Sequence, residues 1–243
     1  MTENSERGDV MAKKEKKSKL DAKDNGTRNI VIGMIILVIV VGAITAITKS
    51  RTNSHATAPS AVATSDGYGI EFNKSAPVKV DFYEDFQCPH CRDFEVVNNT
   101  YINGLVTAGK IHAVYHPMSF IGPESILTAA ASACASDQGK FLEMHKALYQ
   151  NQPATENDGT WTNAKLVQLG QSLGITSSAY DNCVNKGQYI NWVNNVENYA
   201  GSQNINSTPT VLINGKTLPQ GDYLDPVAFQ AAFNAALKAS RVK

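Results

Sequence analysis

The sequence has no excess of charge of either sign, since its 243 residues include 22 Lys and Arg and 22 Asp and Glu. This balance argues against a nucleic-acid binder that relies on a basic surface. The 17 glycines and 9 prolines are too few for a collagen-like or low-complexity chain. Hydrophobic residues make up 42% of the chain, which is enough for a packed core and excludes wholesale disorder. A chain of this length allows one large domain or two small ones.

Charge is also absent from the segment 30–48, which reads IVIGMIILVIVVGAITAIT. As a helix it would span roughly 28 Å, close to the thickness of a bilayer core, so it predicts a transmembrane anchor. The 7 Lys and Arg residues in 10–29, against 2 in 49–68, place the N-terminus in the cytoplasm and the rest outside. A signal peptide cleaved after Ala61-Val62-Ala63 and a buried core helix are the alternatives. The anchor is favoured because the apolar run is longer than that of a signal peptide and has no polar face.

The anchor divides the chain into four parts. The basic tail 1–29 is predicted to be disordered and cytoplasmic, and small polar residues in 49–66 indicate a flexible linker. The remaining residues, 67–243, form one extracytoplasmic domain. We therefore predict a single-pass protein of the cell membrane.

Hydrophobic patterns within the domain predict strands that alternate with helices. Strands are expected at 78–83, 111–115 and 210–214, the last followed by an Asn-Gly hairpin turn and a return strand at 216–218. Helices are expected from 89 to about 108, in pieces across the block from about 122 to 203, and from Pro226, with Asp225 as its cap. The first helix has an apolar stripe of Phe94, Val97, Tyr101 and Leu105. This order predicts an α/β sheet with an antiparallel edge and an inserted helical block.

The motif Cys88-Pro89-His90-Cys91 lies where the first strand of this pattern leads into the first helix. A helix N-terminus carries free N–H groups and partial positive charge, so the Cys88 thiolate should be stabilised and its pKa lowered. Pro89 fits the first helical turn without losing a hydrogen bond, and His90 adds a donor beside the thiolate. Cys91, one turn further, should be more buried and should act as the resolving cysteine.

A C-x-x-C motif has other interpretations. It could be half of a zinc site or an inert disulfide, but zinc needs further ligands, and Cys134 and Cys183 lie singly and far away. Four cysteines outside the cytoplasm favour a structural disulfide between Cys134 and Cys183, closing a loop of about 50 residues worth about 4 kcal/mol. Two buried free thiols are the alternative. We expect no metal and no cofactor. Four histidines show no ligand spacing: His55, His112, His116 and His145.

The stretch from Phe82 to Cys91, FYEDFQCPHC, resembles the active-site region of the DsbA-like thiol–disulfide oxidoreductases of the thioredoxin superfamily, in a membrane-anchored form known from Gram-positive bacteria. A second landmark, Ser-Thr-Pro-Thr at 207–210, matches the cis-proline loop of that family. The resemblance implies a thioredoxin-like fold with an inserted helical domain. It also implies a cis bond at Pro209, with the Thr208 backbone near Cys88 for pairing with an extended substrate; an ordinary trans proline is the alternative.

The chain departs from the family at one position. Some members have a buried acidic residue six positions before the first cysteine, where this chain has Phe82. One of the flanking residues Asp81, Glu84 and Asp85 could act as a proton relay to Cys91. Solvation of all three at the surface is the alternative.

These observations favour an extracytoplasmic enzyme that donates a Cys88–Cys91 disulfide to cysteines of exported proteins. The resemblance implies a membrane partner, linked to quinone, that reoxidises the pair. A reductase or isomerase with the same fold is one alternative. A metal carrier that uses Cys88, His90 and Cys91 is another, from a different functional class.

Overall fold

The computed structural model describes residues 57–59 and 63–240, together with four helical positions at 29, 30, 32 and 34. The chain divides into two compact units, 1–50 and 51–243, and the fold below is that of the second. Most of the first 66 residues lie outside the described part of the chain. They include most of the predicted tail, the predicted anchor 30–48 apart from three positions, and most of the predicted linker. No helix among the described residues is long and apolar enough to cross a membrane.

A five-stranded sheet lies at the centre of the domain, with the strand order β1-β3-β2-β4-β5. The central strand β2 runs parallel to β3 and antiparallel to β4, while β1 and β5 add antiparallel edges. The strands are β1 (Ile70–Phe72), β2 (Lys79–Asp85), β3 (His112–Met118), β4 (Thr210–Ile213) and β5 (Lys216–Thr217). The predicted α/β class and its antiparallel hairpin edge are therefore confirmed.

Helices follow the sheet strands in the predicted order. The first, α1, comes directly after β2, and five helices fill the chain between β3 and β4, as expected for an inserted block. The helices are α1 (Pro89–Thr107), α2 (Pro123–Ser136), α3 (Phe141–Gln150), α4 (Asn163–Ser172), α5 (Ser178–Asn185), α6 (Ile190–Ser202) and α7 (Pro226–Ser240), with a 3₁₀ turn at Gln220–Asp222. Asp225 caps α7, since its carboxylate accepts hydrogen bonds from the N–H groups of Val227 and Ala228.

The inserted block is built around α2, whose sequence PESILTAAASACAS is almost entirely small and almost entirely buried. Small side chains let neighbouring helices approach closely, and α2 contacts α3, α5 and α6. A disulfide between Cys134 of α2 and Cys183 of α5 crosslinks the block, with Cα atoms 5.9 Å apart. The block lies next to the sheet as a second layer and shares one continuous hydrophobic core with it.

Central strand β2 is buried from Val80 to Asp85 on both of its faces. A strand covered on both sides has no solvent-facing row, so its polar residues are buried along with its apolar ones. For this reason the alternative of surface solvation for Asp81, Glu84 and Asp85 is wrong: they are 5%, 3% and 0% exposed. The sheet thus places three carboxyl groups inside the protein, next to the start of α1.

Two further details differ from the sequence prediction. Strand β1 was not predicted, because three residues are too few to show an alternating pattern. The predicted stripe on α1 is partly wrong, since Val97 is 40% exposed while Asn98 and Ile102 are buried. The helix turns this other face inward, where the Asn98 side chain donates to the Tyr223 carbonyl at 2.7 Å.

Candidate active site

Cys88 is the N-cap residue of α1, between the end of β2 and Pro89 at the first helical position. Its backbone is extended, with φ −70° and ψ 119°, and its N–H donates to the Asp85 carbonyl at 2.9 Å. Proline at this position costs no hydrogen bond, because the first N–H groups of a helix have no partner within the helix. The unpaired N–H groups that follow are therefore free to face the sulfur of Cys88.

Cys88 is the acidic thiol of the pair. A hydrogen bond from the Cys91 thiol is the largest influence, and it lowers the pKa of Cys88 to about 6 in spite of an opposing contribution from burial. The Thr208 side chain and the backbone N–H groups of His90 and Cys91 lower this pKa further. At neutral pH Cys88 is accordingly a thiolate, which is the reactive form of cysteine. The residue is only 6% exposed, so it is largely enclosed by protein.

Cys91 has the opposite character. It is 0% exposed, and burial raises its pKa well above the usual value, with further increases from the hydrogen bond to Cys88 and from the charge of Glu84. Both cysteines are free thiols in this structure. The negative charge of the reduced pair is therefore concentrated on Cys88.

The proline loop approaches Cys88 from the far end of the domain sequence. The Thr208–Pro209 peptide bond is cis. The Cys88 sulfur lies 3.5 Å from the Thr208 carbonyl oxygen, to which it donates when the thiol is protonated. A cavity of about 230 Å³ lies alongside, lined by His90, Thr208, Pro209, Gln220, Tyr223 and Leu224. The His90 side chain is exposed at its rim. An extended chain lying in this cavity would pass directly beside the reactive sulfur.

The three candidate relay residues lie in different environments. Asp81 is hydrogen-bonded to His116 at 3.1 Å and to Lys79 at 2.8 Å, and these contacts lower its pKa although burial raises it. Asp85 accepts from the backbone N–H groups of Gln87 and Ile121, which ties down the turn before Cys88. Among the three, Glu84 is the one whose charge acts on Cys91.

Sequence reasoning missed several residues that support the site. Gln152, in the loop after α3, donates from its amide to the carbonyl groups of Phe86 and Cys88 at 2.8 and 3.0 Å. Glu95 of α1 and His145 of α3 lie beside Glu84, and His145 Nε2 is 3.1 Å from Glu84 Oε2. The only sequence signal for Glu95 is its position, since it is an acidic residue one helical turn beyond Cys91. His145 has no signal in the sequence.

The proposed metal-carrier trio does not form in the described part of the chain. A three-ligand group of His, Cys, Asp or Glu occurs there at Glu84, Glu95 and His145. Cys88, His90 and Cys91 do not bring three ligand atoms together in the same way, since His90 points outward while Cys91 is enclosed. The motif is thus arranged as a dithiol next to a cavity.

Comparison with known proteins gives a match to a family model described as thioredoxin over residues 72–234. Among curated proteins, the chain is 27% identical over 151 residues to a Na(+)/H(+) antiporter NhaA 1 of Mycobacterium sp. (strain KMS), covering 60% of this chain and 23% of that protein. It is 26% identical over 148 residues to disulfide bond formation protein D of Bacillus subtilis (strain 168), and the match covers 59% of this chain and 66% of that protein. The chain thus spans about a quarter of the length of the antiporters it matches.

Among solved structures, DsbA from Mycobacterium tuberculosis in its reduced form superimposes with a TM-score of 0.59. The two chains are 27% identical, and the match covers 75% of this chain and 94% of the other. The similarity therefore extends across nearly the whole of that solved chain.

Proposed function

This chain belongs to the thioredoxin family, and on that premise we propose that it is a DsbA-type thiol–disulfide oxidoreductase that acts as an oxidase. Its Cys88–Cys91 disulfide would be donated to pairs of cysteines in other proteins. The observation that carries the proposal is the unequal environment of the two sulfurs. Cys88 lies at a helix N-terminus with a pKa of about 6, whereas Cys91 is enclosed with a raised pKa.

The direction of the reaction follows from the stabilised thiolate. Whatever stabilises Cys88 as a thiolate stabilises the reduced pair relative to the disulfide, which raises the reduction potential and makes the disulfide an oxidant. A low pKa also makes Cys88 a good leaving group. Both effects favour giving a disulfide away over reducing one in a substrate.

The reaction consists of two thiol–disulfide exchanges. A substrate thiolate attacks Cys88 of the disulfide, a mixed disulfide forms, and Cys91 leaves as a thiolate that takes up a proton. The second substrate thiolate then attacks the substrate sulfur of the mixed disulfide, and Cys88 leaves as a stable thiolate. Two electrons pass from the substrate to the enzyme pair, which must later pass them on to a reoxidising partner.

The cavity beside Pro209 fits an extended substrate segment. Its lining is mixed, with the apolar side chain of Leu224 and the ring of Tyr223 next to the polar His90 and Gln220. The Thr208 carbonyl is close enough to Cys88 to accept from its thiol. A substrate would thus be held largely through its backbone, and this favours a broad range of cysteine-containing proteins over one specific sequence.

We further propose that the domain works outside the cytoplasm, tethered by the predicted anchor at 30–48, and oxidises exported proteins. Support comes from the charge distribution around that segment and from the Cys134–Cys183 disulfide, since structural disulfides persist in oxidising compartments. A quinone-linked membrane protein is the expected reoxidant. Labelling of single cysteines placed before and after the anchor in intact cells would test the orientation.

The decisive experiment is the reduction potential of the full chain, measured by equilibration with glutathione. An oxidase should lie well above about −200 mV, whereas a value near −270 mV, typical of thioredoxin, would assign the chain to the reductases. Catalysis of insulin reduction by dithiothreitol then tests the nucleophile. Wild-type protein should accelerate it and Cys88→Ser should not, and full activity in that variant would contradict the proposed role of Cys88.

A further inference from the structure

Three buried side chains from three different elements meet behind the active site. Glu84 comes from β2, Glu95 from α1 and His145 from α3, and they are 3%, 4% and 3% exposed. One ligating atom from each lies within 4.8 Å of the others. Neither Cys88 nor Cys91 is part of this group, although the charge of Glu84 raises the pKa of Cys91.

Both carboxyl groups contact the imidazole ring of His145, each at a different ring nitrogen. Glu84 Oε2 is 3.1 Å from His145 Nε2, and Glu95 Oε2 is 3.7 Å from His145 Nδ1. Bonds of about 2.0–2.1 Å to a tetrahedral ion place its ligand atoms about 3.4 Å apart. An ion binds only one of the two ring nitrogens, so the carboxylate at the other nitrogen would have to move toward it, starting from within the 4.8 Å that separates one ligand atom of each side chain.

Two polar atoms beside this group have no hydrogen-bond partner among the residues that the structure describes. One is Glu84 Oε1 and the other is the Tyr149 hydroxyl, and both are buried. The Tyr149 ring packs edge-on against the His145 ring, with centroids 5.1 Å apart, and burial together with the charge of Glu84 raises the pKa of Tyr149. Buried polar atoms are nearly always satisfied, so these two indicate an additional ligand.

The charges of the group lead to the same conclusion. Within the described residues the only ion-pair partner of Glu84 and of Glu95 is His145, while Asn99 donates its amide to Glu95 at 2.5 Å. Burial raises the pKa of Glu84 and of Glu95 to about 8, so the ionised form of each group is costly without a cation. A divalent ion would stabilise both groups as carboxylates. An open cavity of about 280 Å³ reaches Glu95 and Tyr149, with Lys146 on its wall, and would admit a hydrated ion.

We propose that Glu84, Glu95 and His145 form a binding site for one divalent transition-metal ion. The donor set of one imidazole and two carboxylates suits Zn²⁺ and its first-row neighbours, whereas Ca²⁺ and Mg²⁺ take oxygen ligands. Tyr149 or water would supply the fourth ligand. The site goes beyond the proposed function, and it departs from the expectation of no metal because its ligands are brought together only by the fold.

Zinc binding should be measured on the full chain in its oxidised form, so that Cys88 and Cys91 are held in a disulfide and cannot act as ligands. Metal-free protein is dialysed against Zn²⁺ and its zinc content is determined. One equivalent is expected for the wild type, with affinity at least tenfold weaker in Glu95→Gln and His145→Gln. Glu71→Gln is the matched control, because Glu71 is 2.9 Å from His112 in a pair without a third ligand, and it should bind like the wild type.

Co²⁺ provides a test that needs no variant, should the substitutions prevent folding. In the oxidised wild type, Co²⁺ at this site should give visible d–d absorption without a thiolate charge-transfer band. No stoichiometric zinc in the oxidised wild type would overturn the proposal. So would undiminished binding in folded Glu95→Gln and His145→Gln, or a cobalt spectrum dominated by sulfur ligation.

Discussion

Replacing Cys91 offers the most direct test of why Cys88 is acidic. The hydrogen bond from the Cys91 thiol is the largest contribution to its low pKa, so Cys91→Ala removes that donor while Cys91→Ser replaces it with a hydroxyl. In both variants Cys88 is the only free thiol, because the chain has 4 cysteines and the other two form a disulfide. We expect the pKa of Cys88 to rise in Cys91→Ala and to rise less in Cys91→Ser.

The magnitude follows from the strength of hydrogen bonds to charged groups. Such a bond contributes about 1.5–3 kcal/mol, and at 1.36 kcal/mol per pKa unit its loss should move the titration midpoint up by about one to two pH units. The alkylation rate at pH 7 is a poor measure of this change. Although a thiol of pKa 6 is about 90% ionised at pH 7 and one of pKa 9 about 1%, nucleophilicity falls with pKa and offsets most of the difference.

The midpoint of the pH profile is therefore the quantity to measure. Alkylation of each variant by iodoacetamide across a range of pH, followed by mass spectrometry, reports the ionisation of Cys88. Cys91→Ser should titrate closer to pH 6 than Cys91→Ala does. Equal midpoints in the two variants would refute the role of the Cys91 hydrogen bond, and a Cys91→Ser midpoint near 9 would refute the helix N-terminus argument as a whole.

Three other predictions concern pH, stability and substrate binding. The pKa of Cys88 is lowered from 9.0 to about 6 in the folded protein, so its contribution to the stability of the reduced form should grow as pH rises from 6 to 9 and be lost as pH falls through 6. Above pH 9 the raised pKa of Cys91 acts in the opposite direction. Chemical denaturation of the reduced and oxidised forms below pH 9 checks this, and a constant difference between the two forms would contradict it. Replacing Cys134 and Cys183 by Ala removes a crosslink with a sequence separation of 49, so the free energy of unfolding should fall by about 4 kcal/mol. Urea titrations measure this change, and an unchanged free energy of unfolding would refute the entropic estimate. Leu224→Asp places a charge in the cavity beside Pro209, so the variant should oxidise a reduced protein severalfold more slowly but oxidise dithiothreitol at the wild-type rate. Val96→Asp is the control, because Val96 is 79% exposed on α1, and it should change neither rate.

The local part of the site could be predicted from the sequence. The apolar strand before Cys88, the proline after it and the helical pattern that follows are all signals within about 20 residues, and each reflects backbone preferences that tertiary contacts do not override. The structure places Cys88 at the N-cap position of α1 as this pattern indicates. The bounds of the strands were less accurate, and β2 continues to Asp85, beyond the predicted end at residue 83.

The buried polar residues could not be predicted in the same way. Glu84 lies on a strand covered on both faces, so the usual alternation between core and solvent does not distinguish it from Asp81 or Asp85. His145 lies 61 residues from Glu84 in the sequence, and only the packing of α3 against the sheet and α1 brings the two together. Such contacts arise from tertiary structure and have no local pattern.

The same distinction explains how one tetrapeptide can hold two thiols of opposite character. Cys88 derives its acidity first from the hydrogen bond of the Cys91 thiol and then from Thr208 and the N–H groups at the start of α1. The contribution of those N–H groups is encoded locally and falls off within the first turn. Cys91 lies one turn further along, where those N–H groups no longer face it and where burial and the nearby Glu84 disfavour a negative charge. Moving the motif by one residue along the helix would place both sulfurs in the wrong environment. The direction of the proposed reaction therefore depends on where the helix begins relative to the buried carboxyl groups of β2.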